Sequence, residues 1–211
     1  MDLHAGIFTR QNALIKCIGF SEEDWRSVSE PDAKGFDTEG LSLMMRDREA
    51  DDQIVAFVLA STCGSDELPG LRTMRSIARK YPLAWDALRV VAAPYLRAYL
   101  QPGRLWDGSR QRIARVSAGG TRAGYEGLGL QLRLRKAFID MVRERDYHRI
   151  IAETISPVTY HLWTKLGFAV VASKSWADRK RKDGSLPFEG VAGGFAVHEL
   201  VLRPSSWLCC A

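Results

Sequence analysis

Gly119-Gly120-Thr121-Arg122-Ala123-Gly124-Tyr125-Glu126-Gly127-Leu128-Gly129 is the stretch on which the fold of this chain turns. Before it, Ile113 to Ser117 has the composition of a short strand. After it, Leu130 to Arg143 places Leu130, Leu134, Phe138, Met141 and Val142 at helical spacing. Leu128, Leu130, Leu132 and Leu134 also alternate with a strand period, and the length of the run decides for a helix. Strand, glycine-rich turn and helix together offer backbone N–H groups and a positive helix end to a phosphate. Glycines let the main chain approach closely and adopt positive φ. A phosphate-bearing ligand is expected here, and the glycines alone also fit a surface loop that binds nothing.

Spacing excludes two phosphate loops. A nucleotide P-loop places Lys-Ser or Lys-Thr after its last glycine, and here Leu130 and Gln131 follow. The dinucleotide fingerprint requires Gly-x-Gly-x-x-Gly. Counted from Gly127, its third glycine would fall at Leu132.

A second segment narrows the choice. His148 to Thr154 reads as a strand. Ser156-Pro157 then opens a helix, with Ser as N-cap and Pro in the first turn. Val158, Leu162 and Leu166 form its expected apolar stripe, Gly167 ends it, and Phe168 to Ala172 is expected as a buried strand.

Taken together, the two segments resemble the GNAT superfamily of acyl-CoA-dependent N-acetyltransferases. The family's motif Arg/Gln-x-x-Gly-x-Gly/Ala is matched by Gly124-Tyr125-Glu126-Gly127-Leu128-Gly129. Its helix ending Tyr-x-Lys-x-Gly-Phe is matched by Trp163-Thr164-Lys165-Leu166-Gly167-Phe168. More loosely, Gly40 to Met44 with Gln53 to Val58 is similar to the family's central hairpin. Asp183-Gly184-Ser185-Leu186-Pro187-Phe188, ahead of a last strand at Phe195 to Leu202, is similar to the arylalkylamine branch. The closest resemblance spans Ile113 to Ala172. It implies one α/β domain over residues 1–211, with core motifs at 113–172 and a C-terminal tail at 204–211. The implied sheet is mixed and mostly antiparallel, flanked by helices, with a splayed pair of parallel strands. Met1 to Phe8 barely allows the family's opening strand, so that strand is expected to be short or missing, in a shortened member or one whose start lies upstream.

The resemblance also implies chemistry. Acetyl-CoA would be the co-substrate, its pyrophosphate gripped by the turn formed by Arg122, Gly124, Tyr125, Glu126, Gly127, Leu128 and Gly129. Its pantetheine arm would lie between the strands Ile113 to Ser117 and His148 to Thr154, near Ser156 and Thr159. Backbone N–H groups near Val116 and Ser117 would steady the acyl oxygen. An alkyl ammonium, with a pKa of about 10.4, must lose a proton before attacking. Glu153, at the carboxyl end of its strand, is the candidate base, and a solvent-exposed strand-end carboxylate is the plainer alternative. The leaving thiolate, with a pKa of about 8.5 in solution, gains from an acid. Tyr160 is the candidate, and an aromatic packing on a neighbour is its alternative.

Three positions depart from the family. Gly124 stands where Arg or Gln is usual, with Arg122 two residues earlier. Trp163 replaces the tyrosine that protonates the thiolate in many members, and Tyr160 lies one turn before it. Gln11-Asn12-Ala13-Leu14 lacks the carboxylate of the insect-type Asp-Glu-Pro-Leu segment. Two functions follow: an N-acetyltransferase acting on the primary amine of a small molecule in a ternary complex, or a catalytically inactive acyl-CoA-binding protein with a sensing or assembly role.

Composition agrees with a globular chain. The 211 residues are 46% hydrophobic and 26% charged, with a net charge of +5. The mild basicity suits a polyanionic ligand. Arg179-Lys180-Arg181-Lys182 is the densest basic run, expected as a solvated loop. It lacks the aromatic interleaving that nucleic-acid stacking needs. Cys17, Cys63, Cys209 and Cys210 and the four scattered histidines show no metal spacing. A reduced, cytoplasmic setting is expected, with no metal, nucleic-acid or membrane partner and a possible homodimer. Leu14 to Ser29 is expected as a helix broken at Gly19, Ser65 to Gly70 as loop, and Leu71 to Leu100 as helix in pieces bounded at Pro82 and Pro94.

Overall fold

A hairpin begins the sheet. In the computed structural model, which describes residues 2–27, 29, 39–63, 78–99 and 112–202, β1 (Leu43–Asp47) pairs antiparallel with β2 (Gln53–Thr62). The connecting turn places Asp51 and Asp52 at φ 54° and 55°, the left-handed conformation that matches the twist of a tight hairpin. β3 (Ile113–Thr121), β4 (Arg149–Thr154), β5 (Ala169–Ser175) and β6 (Gly194–Val201) complete six strands in the order β1-β2-β3-β4-β6-β5. Only β3 and β4 are parallel. The sheet is therefore mixed and mostly antiparallel, as expected.

Helices cover both faces. α4 (Leu130–Glu144) and α5 (Pro157–Lys165) lie on one, where Leu134, Phe138, Val142 and Trp163 pack on Val58, Ala114, Val116 and Ile150. On the other face lie α1 (Asp2–Gln11), α2 (Ala13–Ile18) and α3 (Pro82–Tyr99). Leu14, Ile18, Ala87 and Val90 meet Ile113, Ile151 and Val197 there. Strand alternation explains the division, since Ile113 and Ala114, or Ile150 and Ile151, point to opposite faces.

As expected, the family's opening strand is missing from residues 2–11, which form α1; Asn12 ends that helix and caps α2, accepting from Ile15 N at 3.1 Å. Other expectations are corrected. β3 runs past Ser117 to Thr121, so Gly119 and Gly120 are strand residues paired with Val58 and Phe57 rather than turn residues. Gly120 is closely covered, because a Cβ there would stand 3.0 Å from the Ile7 side chain of α1, which would have to give way by a few tenths of an ångström. α3 is one helix that passes through Pro94, which is buried, rather than pieces. The expected stripe on α5 is wrong at Val158, which is 70% exposed, and the buried residue is Trp163. β5 is an edge strand with exposed Ala169 and Val170, so a buried strand at Phe168 to Ala172 is also wrong. The expected loop at Ser65 to Gly70, the first pieces of helix from Leu71, Cys209, Cys210 and the tail from Pro204 lie outside the described residues.

The basic run is not a simple solvated loop. Arg179 and Arg181 reach Asp86 of α3 at 2.6 and 2.7 Å. Burial alone would raise the Asp86 carboxyl, but hydrogen bonds from Arg181 and Arg179 hold it below its usual range. Among the described residues, no helix is long and apolar enough to cross a membrane, and no three His, Cys, Asp or Glu side chains are grouped to hold a metal ion.

Candidate functional site

The glycine turn meets α4 at Gly129, whose φ of 71° makes it a left-handed N-cap without a side-chain cap. Gly127 has φ 78°, and at both positions a Cβ would point into open space. The first N–H groups of this 15-residue helix thus receive no side-chain cap from Gly129. Tyr125 anchors the turn to the hairpin by donating to Asp47 Oδ2 at 2.8 Å. Arg122 donates Nε to the Ile54 carbonyl at 2.9 Å, lying along β2. The Glu126 carboxylate accepts the Gly124 N–H at 2.6 Å. Glu126 therefore holds, with its own negative charge, a donor that an anionic ligand would use. Leu128 is 62% exposed at the rim.

Beside the turn, β3 and β4 part. Their parallel register runs from Ile113–Arg149 to Val116–Ala152 and stops. β3 continues to Thr121 and β4 to Thr154. On its other side, β3 pairs Val116 with Ala60 and Ala118 with Leu59, so Ser117 is an inserted residue without a register partner in either neighbour. The expected splay is present, and Val116 and Ser117 stand at its apex.

Glu153 projects from the α3 face of β4. It accepts from Tyr99 Oη at 2.5 Å and from Arg115 Nε at 3.2 Å. Its side chain is 17% exposed, so it is not the solvent-exposed carboxylate of the plainer expectation. Burial, and then the neighbouring Glu153 charge, raise the Tyr99 phenol well above its usual value, which keeps it a neutral donor. Thr154 and Ala152 point the other way. His198, paired with Ala152, is fully buried there and shares a hydrogen bond of 3.2 Å with Thr154 Oγ1. Burial lowers the His198 pKa to about 4, so its ring is neutral near pH 7. Tyr160 packs edge-on against that ring at 4.8 Å and is 40% exposed. Glu153 and Tyr160 consequently stand on opposite faces of the sheet, close to the end of the parallel pairing.

Ser156 caps α5, accepting from Thr159 N at 3.4 Å, as its position before Pro157 leads one to expect. Trp163 is a buried wall residue. The Arg135 guanidinium lies 4.6 Å over its ring. Sequence patterns missed Arg115, Tyr99, His198 and Arg135. The only signal was a charge at Arg135, next to Leu134 and Phe138 on the apolar face of α4.

No protein-family model and no curated protein sequence matches the chain. Solved structures do. Arylalkylamine N-acetyltransferase 2 from Aedes aegypti is similar with a TM-score of 0.73 at 13% identity, over 95% of this chain and 93% of the other. The C-terminal condensation domain of Ebony, solved with beta-alanyl-dopamine, gives 0.66 at 17% identity, over 95% and 92%. Polyamine N acetyltransferase of Drosophila melanogaster gives 0.53 at 19% identity, over 77% and 75%. At these identities the likeness is one of fold. The chain has the fold of the GNAT acetyltransferases, insect arylalkylamine N-acetyltransferases included.

Proposed function

We propose that this protein is an acetyl-CoA-dependent N-acetyltransferase acting on the primary amine of a small molecule. One observation carries the proposal: the splay beyond Val116–Ala152, with the uncapped start of α4 beside it and Glu153 on the far face. The residues suit the co-substrate. Gly127 and Gly129 leave room for a pyrophosphate against backbone N–H groups, and the helix end favours its charge. The pantetheine arm would follow the open edge of β3, bringing the thioester to Val116 and Ser117, whose N–H groups would stabilise the developing oxyanion.

The amine would approach from the face that carries Glu153, Arg115 and Tyr99. Its nitrogen attacks the carbonyl carbon, the carbon–sulfur bond breaks, and the amide forms as the thiolate leaves. One proton of the ammonium goes to Glu153, directly or through water, before the attack; the thiolate takes one from Tyr160, and the second proton leaving the nitrogen as the amide forms restores the Tyr160 phenol through water. Solved relatives described as acting on arylalkylamines and polyamines support a small amine as acceptor. A cytoplasmic setting accords with this chemistry.

A second reading rests on two observations. Trp163 is buried where many family members carry the acid tyrosine, and Glu153 is already engaged by Arg115 and Tyr99. A protein that binds acyl-CoA without turning it over would show both. Thiol release from acetyl-CoA, measured against amines, polyamines, amino acids and peptides, separates the two. Release with any amine supports the transferase, CoA binding without release supports the second reading, and no CoA binding removes both.

A further inference from the structure

The basic run Arg179 to Lys182 meets the start of α3, and the two form a groove of about 560 Å³. Trp85, Asp86 and Arg89 line it from the helix, and Arg179, Arg181 and Lys182 from the loop. Asp86 is buried between them. Its Oδ1 accepts from Arg179 Nε at 2.8 Å, and its Oδ2 accepts from Arg181 Nε and Nη2 at 2.8 and 2.7 Å. Burial opposes the charge of Asp86, but the hydrogen bonds from Arg181 and Arg179 outweigh it and keep the group a carboxylate. Both of its oxygens are engaged by the two guanidiniums. Arg89 and Lys182 are exposed, and neither has an ion-pair partner among the described residues.

Four cationic groups against one carboxylate leave an excess of three positive charges around this groove. Such crowding is unfavourable in the free protein, and an anion that enters relieves it. A carboxylate brings one negative charge. A phosphate monoester brings about 1.5 to 2 at pH 7, on one small group with three acceptor oxygens, so charge density favours the phosphate. The groove also has an apolar wall. Trp85, one turn before Arg89 on the same side of α3, is 41% exposed. It offers an indole on which a flat ring can stack. The basic run has no aromatic neighbour in sequence, and the fold brings it one. The volume suits a small molecule, whose sites span about 300–1,000 Å³. The groove is also distinct from the acyl-transfer site. Asp86 and Tyr99, the partner of Glu153, are 13 residues apart in α3, about 20 Å at the helical rise. The glycine turn opens α4 on the other face of the sheet.

We propose that this groove is a second binding site, for a phosphate monoester joined to a flat aromatic ring, a nucleoside monophosphate in size and charge. Arg89 and Lys182 take the phosphate, and Trp85 stacks on the ring. Arg179, Asp86 and Arg181 hold the loop against α3 as the opposite wall. The inference stands independently of acyl-CoA as co-substrate.

Calorimetry on the full chain tests this with guanosine 5′-monophosphate, which lacks the pyrophosphate that the glycine turn is proposed to hold. Binding is expected, weakening as salt rises, with quenching of tryptophan fluorescence that Trp85→Leu removes. Trp85→Leu should lower the affinity about tenfold through lost stacking. Arg89→Gln and Lys182→Gln should each lower it about tenfold through a lost charge-assisted contact. All three side chains are exposed, so the variants keep the fold. Gly129→Val should bind the monophosphate as wild type does. Binding lost in Gly129→Val and kept in the groove variants would overturn the site by moving the ligand to the glycine turn. Binding of a glutamate pentapeptide through these three residues, without binding of the monophosphate, would overturn it in favour of an acidic protein segment. No binding of the monophosphate at millimolar concentration would overturn it and leave the cluster as an anchor of the loop on α3.

Discussion

Gly129→Val separates ligand chemistry from folding. Gly129 sits at φ 71° with nothing within 4 Å of an added Cβ, so the side chain meets no protein atom. Only the left-handed backbone resists it, at a cost of about 1–2 kcal/mol. For a chain of this size, that corresponds to a melting temperature lower by about 2–8 °C. The fold should survive. The new side chain, however, fills the space before the first N–H groups of α4, where a pyrophosphate must come within hydrogen-bond distance. CoA binding should therefore be lost. Gly19 provides the control. Its φ is 85°, a Cβ there is also unobstructed, and it ends α2, away from the turn. Gly19→Val should lose similar stability and keep full CoA affinity. Thermal melts paired with calorimetry read both quantities. Wild-type CoA affinity in folded Gly129→Val would refute the assignment of this turn, whatever the melts show.

Other outcomes follow from the same geometry. Glu126→Gln removes the carboxylate that occupies the Gly124 N–H, so CoA should bind severalfold more tightly in calorimetry, and weaker binding would assign Glu126 a supporting role. Tyr160→Phe should lower turnover about a hundredfold with CoA affinity unchanged, and Glu153→Gln should flatten the low-pH limb of the rate profile. Full activity in Tyr160→Phe would return the acid role to water. His4 and His198 are buried, and burial chiefly lowers both pKa values to about 4. The unfolded imidazoles take up protons near pH 6.5, so between about 6.5 and 4 the unfolded state binds more protons. Their stabilisation, up to about 3 kcal/mol each, is present above pH 6.5 and lost as pH falls towards 4. Urea melts across that range should show it, with a shallower fall in His4→Phe. Finally, β1 is an edge strand with Met44 52% exposed, so self-association through that edge is expected in sedimentation and should be weakened by Met44→Lys.

The sequence alone determined the local devices. Gly127, Gly129 and Gly167 adopt the left-handed backbone their positions called for, and Ser156 caps the helix that Pro157 opens. Such features depend on a few neighbouring residues, so they can be read without knowing the rest of the chain. Helical spacing likewise marked α4, and the two motifs together pointed to the fold. What only the tertiary structure decided lies between distant residues. Asp86 meets Arg179 and Arg181 across 93 and 95 positions, and Arg115 meets Glu153 across 38. The insertion of Ser117 exists only as a mismatch of register between β2 and β3. Periodicity shows that a helix has an apolar face but not what the face meets. Val158 was therefore assigned to a core that Trp163 fills, and Arg135, on which the helical pattern was silent, lies buried with its guanidinium over the Trp163 ring. A local pattern fixes backbone conformation through steric and hydrogen-bonding terms within a few residues. The partners of a side chain are fixed by strand order and register, which arise only when the whole sheet assembles.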